Sequence, residues 1–136
     1  MALTDCTGTL TLTNVAAAPT NTALALSLNG LVFVNTTGTV ISVTFADAKA
    51  EITTLNFMTA AKDSYLSIID TKLATINVSG TNMLNLTNAL ATSVKTIAVS
   101  GAAGFNDGGA LTNDTSLTSL TTTSSGKIVA TFNAAT

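Results

Sequence analysis

The chain has 136 residues, of which 46% are hydrophobic and 9% charged, and its formal net charge is −2. With five Lys and no Arg, the composition argues against nucleic acid as a partner, because binding a phosphate backbone requires clustered cationic side chains. The sequence has no His to act as a catalytic base, and no apolar run reaches the roughly 18 residues that span a bilayer. We therefore expect neither an enzyme nor a membrane-spanning protein.

The first third of the chain, residues 1–48, alternates apolar residues with small polar ones. This period of two is typical of half-buried strands, and abundant Thr, Ser and Asn favour strands and turns over helix. The turn signal Asn29-Gly30 predicts a hairpin between residues 24–28 and 31–34. We interpret 1–48 as N-terminal strands that cap the rest of a single domain, 1–136, and a separate β-sandwich-like piece is the alternative.

From residue 49 onward, one six-residue phrase is repeated four times. Its copies are Ile52-Thr-Thr-Leu-Asn-Phe57, Leu73-Ala-Thr-Ile-Asn-Val78, Val94-Lys-Thr-Ile-Ala-Val99 and Leu117-Thr-Ser-Leu-Thr-Thr122. Their central residues lie 21, 21 and 23 positions apart, and a fixed period of this size indicates a solenoid. The sequence therefore predicts an all-β protein whose residues 49–136 form a β-solenoid, similar to a parallel β-helix, with coils of about 21 residues. The same interval upstream of Leu55 leads to Val34 and then to Leu12.

Stacked coils bring equivalent residues into columns, because successive residues of a strand point to opposite faces of the sheet. The inward column, which we call the core ladder, consists of Leu55, Ile76, Ile97 and Leu120. The outward column, which we call the outward ladder, consists of Thr54, Thr75, Thr96 and Ser119. A regular Thr column could match a crystalline lattice such as ice, or it could equally reflect strand propensity combined with a need for neutral outward residues. One coil cannot bury its own apolar face, so the terminal coils leave an uncovered core layer and unpaired backbone groups.

Candidate oxygen ligands for a metal ion cluster late in the chain. Asn106 and Asp107 precede two glycines, and Asp114 follows nearby. Carboxylate and amide oxygens beside flexible glycine suit a hard cation such as Ca²⁺, so these three residues form the candidate calcium site. A solvated turn is the alternative, and it also explains the longer interval between the third and fourth copies. Asp63 and Asp70 could add ligands, although solvated surface positions are the simpler interpretation.

Two stretches resemble the repeats of a known family. Leu73-Ala-Thr-Ile-Asn-Val-Ser-Gly80, followed by Asn85-Leu-Thr-Asn88, and its echo Val94-Lys-Thr-Ile-Ala-Val-Ser-Gly101 resemble the Thr- and Ala-rich repeats of RTX-type bacterial S-layer and related surface proteins. The resemblance covers about residues 50–132 and implies type I secretion and a β-solenoid stabilised by calcium. The family's Gly-Gly-x-Gly-x-Asp nonapeptides are absent from this sequence. The N-terminus shows no cleavable signal peptide, which fits export by this route.

These observations predict a non-enzymatic structural protein, outside the cell or on its surface, that assembles with copies of itself into a surface layer or filament. The alternative is an adhesin of a cell surface or phage fibre, which would bind a cell-surface glycan through outward Thr and Asn. Sugar sites usually contain aromatic platforms, and the chain offers only Tyr65 and five Phe. The triplets at Asn77, Asn85 and Asn113 match the N-glycosylation pattern, which is common by chance in such a composition.

Overall fold

The computed structural model describes residues 2–4, 9–12, 22–31, 33–34, 40–41, 43–47, 51–109, 111–112 and 115–131. Within these residues the chain is all-β, and they contain no helix long and apolar enough to cross a membrane. Parallel strands stack with the period that the repeated phrase predicts. The predicted fold class, a β-solenoid, is therefore confirmed.

The described residues form fourteen β-strands. Their bounds are β1 (Ala2–Thr4), β2 (Thr9–Leu12), β3 (Ala23–Asn29), β4 (Phe33–Val34), β5 (Val40–Ile41), β6 (Val43–Asp47), β7 (Thr54–Thr59), β8 (Ser64–Ile69), β9 (Thr75–Gly80), β10 (Met83–Leu86), β11 (Thr96–Val99), β12 (Gly104–Asn106), β13 (Ser119–Thr122) and β14 (Ile128–Val129). Sheet A has the spatial order β1-β3-β7-β9-β11-β13, and sheet B has the order β2-β6-β8-β10-β12-β14. All pairings in these two sheets are parallel.

One strand of sheet A and one of sheet B make a single turn of the solenoid, which we call a rung. Parallel neighbours cannot be joined by a tight hairpin, so the chain crosses to the other sheet before it returns. The described strands form the rungs β1–β2, β3–β6, β7–β8, β9–β10, β11–β12 and β13–β14. The last four follow one another with nearly constant spacing, and we call them the regular rungs.

The core ladder lies on the inner side of sheet A. Leu55 pairs in register with Ile76, Ile76 with Ile97, and Ile97 with Leu120. The first three side chains are fully buried, whereas Leu120 in the last rung is only half-buried. The opposite wall of the core is formed by buried side chains of sheet B, among them Phe45, Leu66, Leu84 and Phe105. Because full burial of one such side chain is worth about 1.5–3 kcal/mol, stacking is the main source of stability.

A glycine lies at the corner from sheet A to sheet B in the last three regular rungs, whereas Ala61, with a φ of 50°, lies at this corner of the first. Gly80 and Gly101 have φ values of 113° and 73°, the left-handed region that favours glycine. At Gly80 a Cβ atom would also collide with the backbone of Thr59 in the rung before. Gly126 occupies the same corner of the last rung. Glycine is required there only because the backbone of the preceding rung lies close, so that a Cβ would collide with the carbonyl group of Ala103.

The N-terminal strands extend both sheets at less regular intervals. Leu24 of β3 is the register partner of Leu55, so the interval between these rungs is clearly longer than the one between Leu55 and Ile76. The upstream extension to Val34 and Leu12 was therefore wrong. Val34 pairs with Val40 in the small antiparallel pair β4–β5, and Leu12 lies in sheet B. The insertion of β4–β5 explains the longer interval.

The predicted hairpin between residues 24–28 and 31–34 was also wrong. β3 has a parallel neighbour on each side, so neither of its edges is free for an antiparallel partner. Gly30 does adopt a positive φ of 66°, but the chain then leaves sheet A. Since β1, β2, β3 and β6 all belong to the solenoid sheets, a separate β-sandwich-like piece finds no support in the pairing. The boundary between 1–48 and 49–136 stays a prediction.

Candidate functional site

The solenoid presents three kinds of surface: the outer faces of its two sheets, the corners between them, and the end rungs. No group of three or more His, Cys, Asp or Glu among the described residues is placed to hold a metal ion. The Asp carboxylates at the corners, those of Asp47, Asp63, Asp70 and Asp107, accept hydrogen bonds from backbone N–H groups of the chain itself. The outer faces and the end rungs are therefore the candidate functional surfaces.

The outward ladder lies on the outer face of sheet A. Thr54 pairs in register with Thr75, Thr75 with Thr96, and Thr96 with Ser119. All four side chains are half-buried. Adjacent strands of a sheet lie roughly 4.8 Å apart, so this face presents a hydroxyl-bearing side chain at each such step. The array is uncharged and can contact another surface through hydrogen bonds and methyl groups.

Asparagine side chains connect adjacent rungs on both sheets. On sheet A the Nδ2 of Asn77 donates to Oδ1 of Asn56 at 2.8 Å, and on sheet B the Nδ2 of Asn106 donates to Oδ1 of Asn85 at 3.0 Å. Such ladders use one side chain as both donor and acceptor along the stack. Two of the three glycosylation triplets therefore contain an asparagine that already serves the fold, while Asn113 lies outside the described residues.

Two of the three predicted calcium ligands lie together at one corner. Asp107 is 1% exposed, and its carboxylate accepts hydrogen bonds from the N–H groups of Gly109 (3.2 Å) and Thr131 (2.8 Å). Asn106 Oδ1 accepts one from the N–H group two residues later (3.0 Å). Asp114 lies outside the described residues. Asp107 thus closes a turn and ties it to the chain after β14, and calcium binding stays a prediction.

Two further carboxylates close the corners that lead from sheet B back to sheet A. Asp47 is 8% exposed and its Oδ2 accepts hydrogen bonds from the N–H groups of Glu51 (2.6 Å) and Ile52 (2.7 Å). Asp70 is 3% exposed and its Oδ1 accepts one from Lys72 (2.8 Å). The interpretation of Asp70 as a solvated surface residue was therefore wrong. The sequence signal for these caps is an Asp at a strand end, followed two to five residues later by the N–H group that it binds.

The pKa of Asp70 is raised above 3.8. Burial is the main cause, because it disfavours the charged carboxylate. The hydrogen bond from Lys72 acts in the opposite direction, the negative charge of Asp47 on the adjacent rung raises the pKa further, and the N–H group of Leu73 lowers it. Within the described residues, the buried Oδ2 of Asp70 has no hydrogen-bond partner. Ionisation of this group consequently opposes folding.

The described aromatic side chains do not offer a platform for a sugar ring. Phe45, Phe57 and Phe105 are at most 1% exposed and belong to the core. Tyr65 is half-buried on the outer face of sheet B. Sugar sites usually stack a ring on an exposed aromatic, and none of these four described side chains is exposed.

The last rung is uncovered on its outer side within the described part of the chain. β13 and β14 are the terminal strands of sheets A and B. Leu120 and Ile128 are half-buried, whereas their register partners Ile97 and Phe105 in the preceding rung are 0% exposed. A strand edge with a half-exposed core layer is a template for a further strand.

Within the described residues, the fold and these surfaces define a β-solenoid with uncharged outer faces and an open last rung. Comparisons of the chain with protein family models, with curated proteins and with solved structures give no match. A fold by itself does not fix a function, so the function is argued from the surfaces.

Proposed function

We propose that this chain is a non-enzymatic structural protein that assembles end to end with copies of itself, on the cell surface or outside the cell, into a filament or layer. The observation that carries the proposal is that the last of the described rungs is open. Leu120 and Ile128 become buried like core residues once a further rung covers them, and burial of each is favourable by roughly 1–2 kcal/mol.

A second copy can supply that further rung. The strands β1 and β2 are the terminal strands at the opposite end of the two sheets. Pairing of β13 with β1 of the next copy, and of β14 with β2, continues both sheets with parallel strands. Such a head-to-tail contact uses two different surfaces and leaves both ends free again, so it generates an open assembly.

The proposed location rests on the resemblance to RTX-type surface proteins and on the charge-poor, Thr-rich composition. An antibody against the chain should detect it in the culture medium or on intact cells of its source. Detection only after the cells are broken would contradict the location and leave end-to-end assembly untouched.

Assembly is tested by light scattering and negative-stain microscopy over a range of protein concentrations, with and without Ca²⁺. We expect particles that grow with concentration. Leu120→Lys places a charge on the open last rung and should abolish growth. Thr92→Lys adds the same charge at an exposed corner position and serves as the matched control, which should assemble like the wild type.

A protein that stays monomeric at high concentration under both calcium conditions would overturn the proposal. A monomer that bound immobilised glycans would favour the adhesin alternative instead. Far-UV circular dichroism of Leu120→Lys must retain the β-sheet spectrum, since only a folded variant tests the contact.

A further inference from the structure

The outer faces of both sheets lack charge throughout the described residues. The charged side chains of the described residues are Asp47, Glu51, Lys62, Asp63, Asp70, Lys72, Lys95, Asp107 and Lys127. Eight of these lie outside the strands, and Asp47 is the buried last residue of β6. Soluble surfaces usually carry about 25–35% charged residues, which oppose association. Flat sheet faces without charge have no such protection.

Among the side chains that the structure describes, the outer face of sheet B carries one exposed large apolar residue. Ile69 ends β8 and is 58% exposed. Its register partner on β6 is Ala46, whose methyl group leaves the larger side chain standing above the sheet. The cost of exposing this isoleucine to water is removed when another apolar surface covers it.

The outer face of sheet A carries an apolar groove. Met58 is 53% exposed and lies in register between Ser27 and Ser79. Together with Ala25 and Asn56 these residues line an open groove of about 250 Å³. A water molecule occupies roughly 30 Å³, so the groove has room for a branched aliphatic side chain. Methionine is flexible and adapts its shape to such a partner.

We propose that the outer face of sheet A of one copy docks on the outer face of sheet B of a second copy, with Ile69 of the second copy seated in the groove beside Met58. This inference rests on the proposed function. The groove is centred on β7 and Ile69 ends β8, so a single rung supplies both parts of the contact. The two parts lie on opposite outer faces. The contact therefore repeats from copy to copy and joins filaments side by side.

The size of the faces fits a contact that is weak singly and stable in an array. Sheet B is the smaller face: six strands at roughly 4.8 Å, with about four residues each at roughly 3.3 Å, give an area of roughly 400 Å². A face-to-face contact then buries roughly 800 Å² in total, which is below the roughly 1,000 Å² of a specific interface and makes each single contact weak. Many such contacts along two filaments add up by avidity.

The test is cysteine cross-linking between two different single variants. Met58→Cys and Ile69→Cys are each prepared in a Cys6→Ser background, assembled separately or as a mixture, and oxidised. A disulfide requires Cα atoms within about 7 Å. We expect covalent dimers in the mixture and none with either variant alone. Dimers of Met58→Cys alone would show that sheet A pairs with itself and would overturn the inference.

A charge substitution provides the second test. Ile69→Lys should raise the protein concentration at which filaments associate laterally by about tenfold or more, because burial of isoleucine is worth at least that factor. Thr92→Lys is again the matched control. Single filaments that never associate in the wild type would overturn the lateral contact and leave the proposed function standing, whereas a wild type without filaments would contradict the proposed function.

Discussion

The regular rungs and the N-terminal rungs are built on the same two sheets but differ in what lies between their strands. From β7 to β13 the register partners in sheet A follow one another with nearly the constant period of the repeated phrase. Between β3 and β7 the interval is much longer, because the antiparallel pair β4–β5 is inserted. The inner pattern of apolar residues is nevertheless the same. Stacking thus depends on inward side chains and tolerates corners of very different length.

The largest predicted effect tests whether the middle of the stack holds the molecule together. Ile76→Asp places a carboxylate between Leu55 and Ile97, in a position that is 0% exposed. Burial of an unpaired charge should cost at least about 4 kcal/mol and unfold the neighbouring rungs. Leu24→Asp alters the same column in an N-terminal rung, where the side chain is half-buried, and should cost clearly less. Urea unfolding followed by circular dichroism measures both, and equal losses would show that the two regions contribute alike.

A second prediction compares one corner from each region. Gly80→Ala combines a φ of 113° with a collision against the backbone of Thr59. We expect a loss of about 2–3 kcal/mol in the free energy of unfolding. Gly30 in the N-terminal region has a φ of 66°, and Gly30→Ala should cost about 1 kcal/mol. Thermal denaturation of both variants checks the order, and a smaller loss at Gly80 would contradict it.

A third prediction concerns the junction of the two regions, where Asp47 ends β6 and Asp70 follows β8. The pKa of Asp70 is higher in the folded state than the usual 3.8. At pH values between 3.8 and the raised pKa of Asp70, the folded state binds more protons than the unfolded state. The free energy of unfolding therefore falls as the pH rises through this window. The full cost of the ionised carboxylate is then present at neutral pH.

Asp70→Asn removes the charge and keeps an oxygen that can accept the hydrogen bond from Lys72. We expect the variant to be at least as stable as the wild type at pH 7 and to lose this part of the pH dependence. Melting temperatures of both proteins between pH 4 and pH 7 provide the measurement. An unchanged slope in the variant would assign the pH dependence to other groups.

The smallest predicted effect concerns the inserted pair. β4 and β5 pair only with each other among the described strands. Replacing residues 33–41 with a short Gly- and Asn-rich loop should change the free energy of unfolding by less than about 1 kcal/mol, because loop length has a weak effect on chain entropy. Loss of the β-sheet spectrum would show that the pair supports the core.

The sequence was sufficient to predict the solenoid because the repeated phrase records the stacking directly. Each copy carries the same inward residue, so Leu55, Ile76 and Ile97 could be aligned without coordinates. The N-terminal rungs could not be predicted from the repeat, because the interval between their strands differs from the period of the phrase and because Asn29-Gly30 favours a local hairpin. In the folded chain, parallel pairing on both sides of β3 overrides that local preference.

The candidate surfaces were only partly predictable. The outward ladder followed from the period, and the low charge was visible in the composition. The buried roles of Asp47, Asp70 and Asp107 were not foreseen, since a run of charged residues usually marks a solvated surface. Their capping bonds depend on where the chain turns. The prominence of Met58 and Ile69 depends on small neighbours from other rungs, which no local sequence window contains.

The constant register between β7 and β11 makes the regular rungs interchangeable units of length. An insertion or deletion of one full period, in phase with the phrase, would leave every remaining residue with an equivalent neighbour, and it would change the height of the molecule by roughly 4.8 Å. Duplication or loss of the gene segment that encodes one period can therefore change the length of the solenoid in fixed steps of one rung.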